Sequence, residues 1–127
     1  MVLKVSSIFT KPFINHIKYH RVPHIQKEYD NYLIYLEKNN ITIKEYIINH
    51  IIKDNIMNFC KNQFPYDIKE VNHYLLWINP KYKISYETIY NYLQLLLKGK
   101  MYIYFENSEV NKSVDSITHY HVLINYV

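Results

Sequence analysis

Residues 71–105 read VNHYLLWINPKYKISYETIYNYLQLLLKGKMYIYF, and the punctuation of this stretch decides the fold. VNHYLLWI is a β-prone run closed by Asn79-Pro80, and a proline that cannot donate a ladder hydrogen bond marks a strand end. Its alternation puts His73, Leu75 and Trp77 on one face, with Tyr74, Leu76 and Ile78 on the other. SYETIYNYLQLLLKGK then changes period: Ser85 stands where an N-cap belongs, Ile89, Tyr92, Leu93, Leu96 and Leu97 form one stripe, and Gly99 follows where a helix end favours positive φ. MYIYFEN returns to a strand. Strand, helix and strand in succession fix the middle of the domain.

On the C-terminal side, SEVNKSVDSI is a polar loop and THYHVLINYV, residues 118–127, is a final strand. On the N-terminal side two helices are expected. In HIQKEYDNYLIYLEK the apolar positions Ile25, Tyr29, Tyr32, Leu33 and Leu36 recur at helical spacing, and KNN stops the pattern. In ITIKEYIINHIIKDN, Thr42 and Glu45 are spaced as a capping box, with Ile43, Ile47, Ile51 and Ile52 on one stripe. This second helix is expected to run to about Phe59. The fold class is therefore α+β: N-terminal helices packed on a small antiparallel sheet of three or four strands, with a strand-helix-strand-strand C-terminal half. At 127 residues and 49% apolar composition, residues 1–127 are read as one domain.

Charge and composition narrow the function classes. Net charge is +4 with a pI near 9.0, yet no Lys/Arg cluster exceeds two residues. That balance suits an anionic small molecule and argues against duplex nucleic acid as a partner. Cys60 is the single cysteine, which excludes an internal disulfide and a Cys-based zinc site and points to a reducing compartment. No apolar run approaches a membrane span and the start MVLKVSSIFTKPFINH has no leader-like core, so a cytoplasmic protein is expected. Fifteen Tyr, a single Gly and the abundance of Asn, Ile and Lys are the bias expected of an AT-rich genome, as in a large DNA virus or an intracellular parasite, and for a virus the setting would be the host cytoplasm. So much tyrosine also makes exposed aromatic surface, and with it self-association, an expectation. His16, His20 and His24 have spacing that could suit a metal on a helix, but Pro23 interrupts that helix, and they are read as surface residues.

The last strand carries the chemistry. His119 and His121 lie two apart and share a face with Leu123, while Tyr120, Val122, Ile124 and Tyr126 share the other. One face being core, the paired imidazoles are expected at the sheet surface, where two ring nitrogens can converge on a phosphate or a metal, or pass a proton. The same residue types have a plainer reading: rings half-buried and satisfied by hydroxyls or carbonyls, with Trp77 as a core residue.

Several motifs together resemble a family of unknown biochemical activity typified by fungal N-acetylglucosamine-induced proteins. Its pattern has an Asn-x-x-Pro-Tyr segment leading to a His-headed strand with a Trp, then a Trp-Phe-x-Asn strand, a Lys/Gln-Ser-(Val/Ile) loop and a terminal His-x-His-Val-Leu. The matching positions are Asn62, Pro65, Tyr66, His73, Trp77, Phe105, Asn107, Ser113, Val114, His119 and His121, with a looser match at Arg21 and Tyr29. The resemblance spans residues 60–124, and Tyr104 stands where the family has Trp. Its order of elements is also that of histidine-triad nucleotide hydrolases and transferases, in which a His attacks phosphorus while Asn and backbone amides hold the phosphate. The third His of that triad is absent, its place taken by Leu123 or Ile117 according to register; His121 is the nucleophile in the first register and His119 in the second.

The resemblance implies a His-lined pocket for a phosphorylated or nucleotide-like small molecule, with phosphohydrolase or nucleotidyl-transfer chemistry as its enzymatic form. Its catalytic candidates are His73, His119 and His121, and its ligand-binding candidates Asn62, Tyr66, Trp77, Asn107 and Ser113, with neither cofactor nor metal. Two alternatives stand beside it: a non-enzymatic interaction or structural protein, and a metal-dependent His-x-His single-strand nuclease, for which only Tyr126 follows the pair as nucleophile. The pocket requires His73 and the His119/His121 pair to share one cleft with Asn107, since reacting groups must reach one substrate.

Overall fold

The computed structural model describes residues 20–106 and 117–125. Asn107, Ser113, Val114, His16 and Tyr126 lie outside the described residues. The elements are α1 (Pro23–Lys38), α2 (Ile43–Ile47) continued by a π turn (Ile48–Ile52), β1 (Met57–Lys61), β2 (Val71–Ile78), α3 (Tyr86–Leu96), β3 (Tyr102–Phe105) and β4 (His119–Asn125). The fold is α+β, with the helices α1 and α2 preceding the strands. The four strands form one sheet in the order β1-β2-β4-β3, each pair antiparallel. Because β2 and β3 both run against β4, they are parallel to one another, and α3 makes the crossover that parallel strands require. The last strand slots between them.

Local chemistry explains the boundaries. Pro23 opens α1 at a position where its missing N–H is no loss, and Asn40 at φ 55 follows its end. Thr42 caps α2: its Oγ1 accepts the Glu45 N–H at 3.1 Å and Glu45 Oε1 accepts the Thr42 N–H at 3.2 Å. Ser85 Oγ accepts the Thr88 N–H at 3.1 Å to start α3, and Gly99 takes φ +81 after its end.

The expected continuation of the second helix to Phe59 is wrong. The helix widens over Ile48–Ile52, where the Lys53 N–H reaches the Ile48 carbonyl at 2.7 Å, and Lys53 then adopts φ 56 and ends it. Met57–Lys61 is instead an edge strand paired with β2. Its residues alternate: Met57 and Phe59 pack into the core under α3, while Cys60 packs on the opposite side with the isoleucines of α2. Phe59 stacks on Tyr74 of β2 with ring centroids 4.9 Å apart, a diagonal cross-strand pair that holds the edge.

Two cores sandwich the sheet. On one side Ile89, Leu93 and Leu97 of the α3 region pack on Leu76, Ile78, Tyr120, Val122 and Ile124. Leu96, expected on this stripe, is 45% exposed and lies off it. On the other side Ile47 and Ile52 pack with Trp77 and Ile117. The imidazoles of β4 are on this second side, and the expectation that they sit at the sheet surface fails. Helix α2, its π turn and the β1–β2 loop cover that face, leaving His119 6% and His121 4% exposed. No helix among the described residues is long and apolar enough to cross a membrane.

Candidate functional site

Antiparallel register brings the histidines together. Leu75 pairs with His121, Trp77 with His119 and His73 with Leu123, so His73 and His121 are diagonal neighbours on one face of two adjacent strands. His73 Nε2 and His121 Nδ1 are 2.7 Å apart, and the His119 and His121 ring centroids are 5.4 Å apart. The three imidazoles therefore form one cluster. Leu123 of β4 and Ile117 just before it, the positions that take the place of the triad's third histidine, are fully buried apolar residues. The third ring comes from the neighbouring strand.

Hydrogen bonds assign the protons. The Tyr66 backbone N–H donates to His73 Nδ1 at 3.2 Å, so that nitrogen carries a lone pair. Neutral His73 must then hold its proton on Nε2 and donate it to His121 Nδ1. Neutral His121, accepting at Nδ1, holds its own proton on Nε2. Burial, with the Arg21 charge adding, pushes His73 down to about 3. Burial first, then His73, His119 and Arg21, hold His121 well below the ordinary imidazole value. Both rings are neutral at physiological pH. His121 Nε2 is buried and has no hydrogen-bond partner among the described residues. The His121 ring is flanked by Tyr66, at 5.3 Å and 15°, and by Phe105, at 5.6 Å and 16°, both nearly parallel to it.

His119 has the opposite tautomer. Its Nδ1 lies 2.9 Å from the Ile117 carbonyl oxygen, which can only accept, so Nδ1 carries the proton and the lone pair of the neutral ring is on Nε2. The ring leans over Trp77, with centroids 4.5 Å apart.

The loop between β1 and β2 builds the frame around this cluster. Asn62 Oδ1 accepts the Phe64 N–H at 2.8 Å, and the Asn62 N–H donates to the His73 carbonyl at 2.8 Å. Asn62 Nδ2 lies 3.4 and 3.3 Å from the two nitrogens of the His73 ring, a near-equality that places it over the ring face. The Phe64 carbonyl accepts from Arg21 Nε at 2.8 Å, and the Arg21 guanidinium carbon stands 4.3 Å above the Tyr29 ring and 5.4 Å from that of Tyr66. The Asn-x-x-Pro-Tyr segment thus has a physical role: Asn62 shapes the turn, Phe64 anchors Arg21, and Tyr66 fixes the His73 tautomer.

A cavity of about 450 Å³ opens over the cluster. Its floor is Asn58, Cys60, Leu75, Trp77, His119 and His121; Tyr29, Tyr32, Tyr46 and Phe64 line it with aromatic rings; Arg21, His50, Lys53 and Lys61 supply its nitrogen bases and cations. No Asp or Glu is among these residues. Asn58 Oδ1 and Trp77 Nε1 are likewise buried with no hydrogen-bond partner among the described residues. Burial raises the Tyr32 hydroxyl and the Cys60 thiol, so both remain protonated at neutral pH.

Of the expected site residues, His119, His121, Asn62 and Trp77 line the cavity; His73 and Tyr66 stand behind it and hold His121; Asn107 and Ser113 lie outside the described residues. The looser matches Arg21 and Tyr29 meet at the cavity. Sequence reasoning missed Asn58, Lys53 and Lys61, and the period-2 alternation Asn58, Cys60 against Met57, Phe59 was the signal that could have found the first. Lys81, Lys83, Lys98 and Lys100 are exposed and, like His20 and His24, are not among the residues lining this cavity. Among the described residues there is no group of three His, Cys, Asp or Glu placed to share a metal ion.

No family model matches the chain, and no curated protein matches it. Among solved structures it is similar to the crystal structure of HTC1, with a TM-score of 0.55 and 17% sequence identity over 97% of this chain and 83% of that one. At that identity the likeness is one of fold.

Proposed function

We propose that this chain binds a phosphorylated, nucleotide-like small molecule in the cavity over His119 and His121. The observation that carries the reading is the make-up of the lining among the described residues: aromatic rings, three cationic side chains, a buried N–H without a partner, and no carboxylate. A volume of about 450 Å³ accommodates a ligand of nucleotide size. Aromatic rings offer a base a stacking surface, and Arg21, Lys53 and Lys61 offer a phosphate charge-assisted hydrogen bonds. Kinship with the N-acetylglucosamine-induced proteins belongs to the same proposal, as does a cytoplasmic setting, where phosphorylated metabolites are found. The enzymatic form of the proposal is transfer or hydrolysis at phosphorus. A ligand-binding protein without turnover is its non-enzymatic form. In the enzymatic form the nucleophile would be His119, whose Nε2 carries the lone pair, because the protonated Nε2 of His121 is no nucleophile. The metal-dependent nuclease is the poorest reading, because in its His119/His121 pair the Nδ1 of His121 is taken by His73 and its Nε2 holds the proton, which leaves that ring no lone pair for a metal.

The experiment is a thermal-shift panel of nucleoside monophosphates and diphosphates, sugar phosphates and orthophosphate, on the full chain and on Lys61→Glu. A ligand that binds the folded state raises Tm, and the reversed charge at the exposed rim should abolish most of the rise while leaving the unliganded Tm unchanged. Equal shifts in both proteins, or none with any phosphate, would remove the proposal. Phosphorus NMR of the binding mixtures then separates turnover from binding.

A further inference from the structure

We infer that His121 is a fixed hydrogen-bond donor for a phosphoryl oxygen, and that His73, held by the Tyr66 backbone N–H, is the positioning residue that makes it one. The inference rests on the phosphorylated-ligand reading above and names the atom that reads the phosphate. It starts from the direction of two hydrogen bonds and from one that is not made. Tyr66 N–H points at His73 Nδ1, His73 Nε2 meets His121 Nδ1, and Nε2 of His121, a residue that lines the cavity, is buried without a hydrogen-bond partner among the described residues. A backbone amide can only donate, so the chain of donors runs one way, from the β1–β2 loop through two side chains to the ligand.

Reversing the chain has a definite consequence. For Nε2 of His121 to offer a lone pair, its proton must move to Nδ1 and be donated to His73 Nε2. The His73 proton must then move to Nδ1, where it would confront the Tyr66 N–H across 3.2 Å. Two donors would face each other in a site where His73 is 4% exposed and water cannot relieve them. His121 is therefore held as an N–H, and the nitrogen lone pair on this face belongs to His119, whose Nδ1 proton is committed to the Ile117 carbonyl.

A phosphoryl group fits the His121 donor. Its terminal oxygens accept from an N–H. A cationic ligand group fits poorly: it would bring a charge next to the donor of His121 and the Arg21 guanidinium. An unpartnered buried donor also explains why the pocket gains from filling, since the ligand oxygen restores a hydrogen bond that folding left unmade.

The test uses the full chain with nitrogen-15 in its histidines, and reads the tautomers from two-bond proton–nitrogen correlations. The free protein should show His121 as the Nε2–H form and His119 as the Nδ1–H form; His121 found as Nδ1–H overturns the inference. His73→Gln retains an amide oxygen to accept from Tyr66 and an amide N–H to donate to His121, and should keep the His121 tautomer. His73→Leu should release it into a mixture. If His73→Leu does not fold, His73→Gln still decides, because loss of the tautomer there refutes the positioning role. Orthophosphate, AMP and adenosine are then titrated. Orthophosphate and AMP should move the His121 Nε2–H resonance and adenosine should not. AMP that raises Tm without moving it leaves the nucleotide reading standing and overturns this inference. Orthophosphate that moves it while AMP does not bind does the reverse, and binding by neither removes both.

Discussion

His73 Nε2 and His121 Nδ1 meet at 2.7 Å although 48 residues separate them in the chain, so the contact exists only once β2 and β4 have paired. Folding therefore takes two imidazoles that are ordinary bases in the unfolded chain and makes them poor ones. The consequence is a pH dependence. His73 is lowered to about 3 and His121 is lowered well below its usual value, both through burial first. Between about pH 3 and 6.5 the unfolded chain binds protons that the folded chain does not, so stability falls as pH falls through that window and is fully present above it. Each histidine contributes a slope approaching about 1.4 kcal/mol per pH unit once the pH is well under 6.5. Urea denaturation at pH 7, 6 and 5 should show the midpoint falling, and His73→Gln should fall less steeply. Parallel pH profiles for the two proteins would contradict the burial argument.

The orientation of α3 is tested by a neighbouring pair of leucine positions. Leu93 is 0% exposed and packs against Leu76 and Val122, whereas Leu96 is 45% exposed. Leu93→Ala should cost roughly 2–5 kcal/mol, the range for emptying a filled core site. Leu96→Ala should change stability by about 0.5 kcal/mol or less. Chemical denaturation of both variants checks this, and similar losses would mean the helix presents a different face to the sheet.

The Thr42 cap gives a local prediction. Thr42→Ala removes the acceptor of the Glu45 N–H and the hydroxyl that donates to Glu45 Oε1 at 2.9 Å. Because α2 has only five α-helical residues before its π turn, little else starts it, and the loss should be about 1 kcal/mol. Thr42→Ser keeps the oxygen and should lose only a few tenths of that amount. Equal destabilisation by both changes would point to the threonine methyl group rather than the cap.

These cases also show what the chain made legible. The strand VNHYLLWI and the helix from Tyr86 were readable because alternation, the Ser85 cap and Gly99 all agree with the final fold. The edge strand Met57–Lys61 was not, because the isoleucine stripe of α2 leads straight into Met57 and Phe59 at spacings a helix also allows, and Asn58, Cys60 and Lys61 have little strand preference. A positive φ at Lys53 is what separates the two elements, and nothing about a lysine announces it. The histidine pair was visible, as was its company of His73 and Trp77. Its burial was not, since alternation says which residues share a face but not whether α2 and the β1–β2 loop will lie over that face. The proton directions were further out of reach, for they follow from the Tyr66 N–H, a backbone group whose aim no side-chain pattern records.

The cavity rim supplies the last prediction, one that separates charge from shape. Lys61 is exposed at the end of β1 and lines the cavity beside Asn62, while the aromatic rings Tyr29, Tyr32 and Phe64 pack on one another with centroids 5.2–6.3 Å apart. If the cations hold a phosphate and the rings hold the attached group, the two contributions respond to different perturbations. Lys61→Glu should weaken AMP binding about tenfold, a difference of about 1.4 kcal/mol, and adenosine binding hardly at all. Raising salt from about 0.05 to 0.5 M shortens the screening length severalfold, so the AMP affinity of the unaltered protein should fall towards that of the variant. Calorimetric titrations at both salt concentrations measure this. AMP affinity independent of salt and of the Lys61 charge would show that the rim cations do not touch the phosphate, and would leave His121 on the cavity floor as its hydrogen-bond donor.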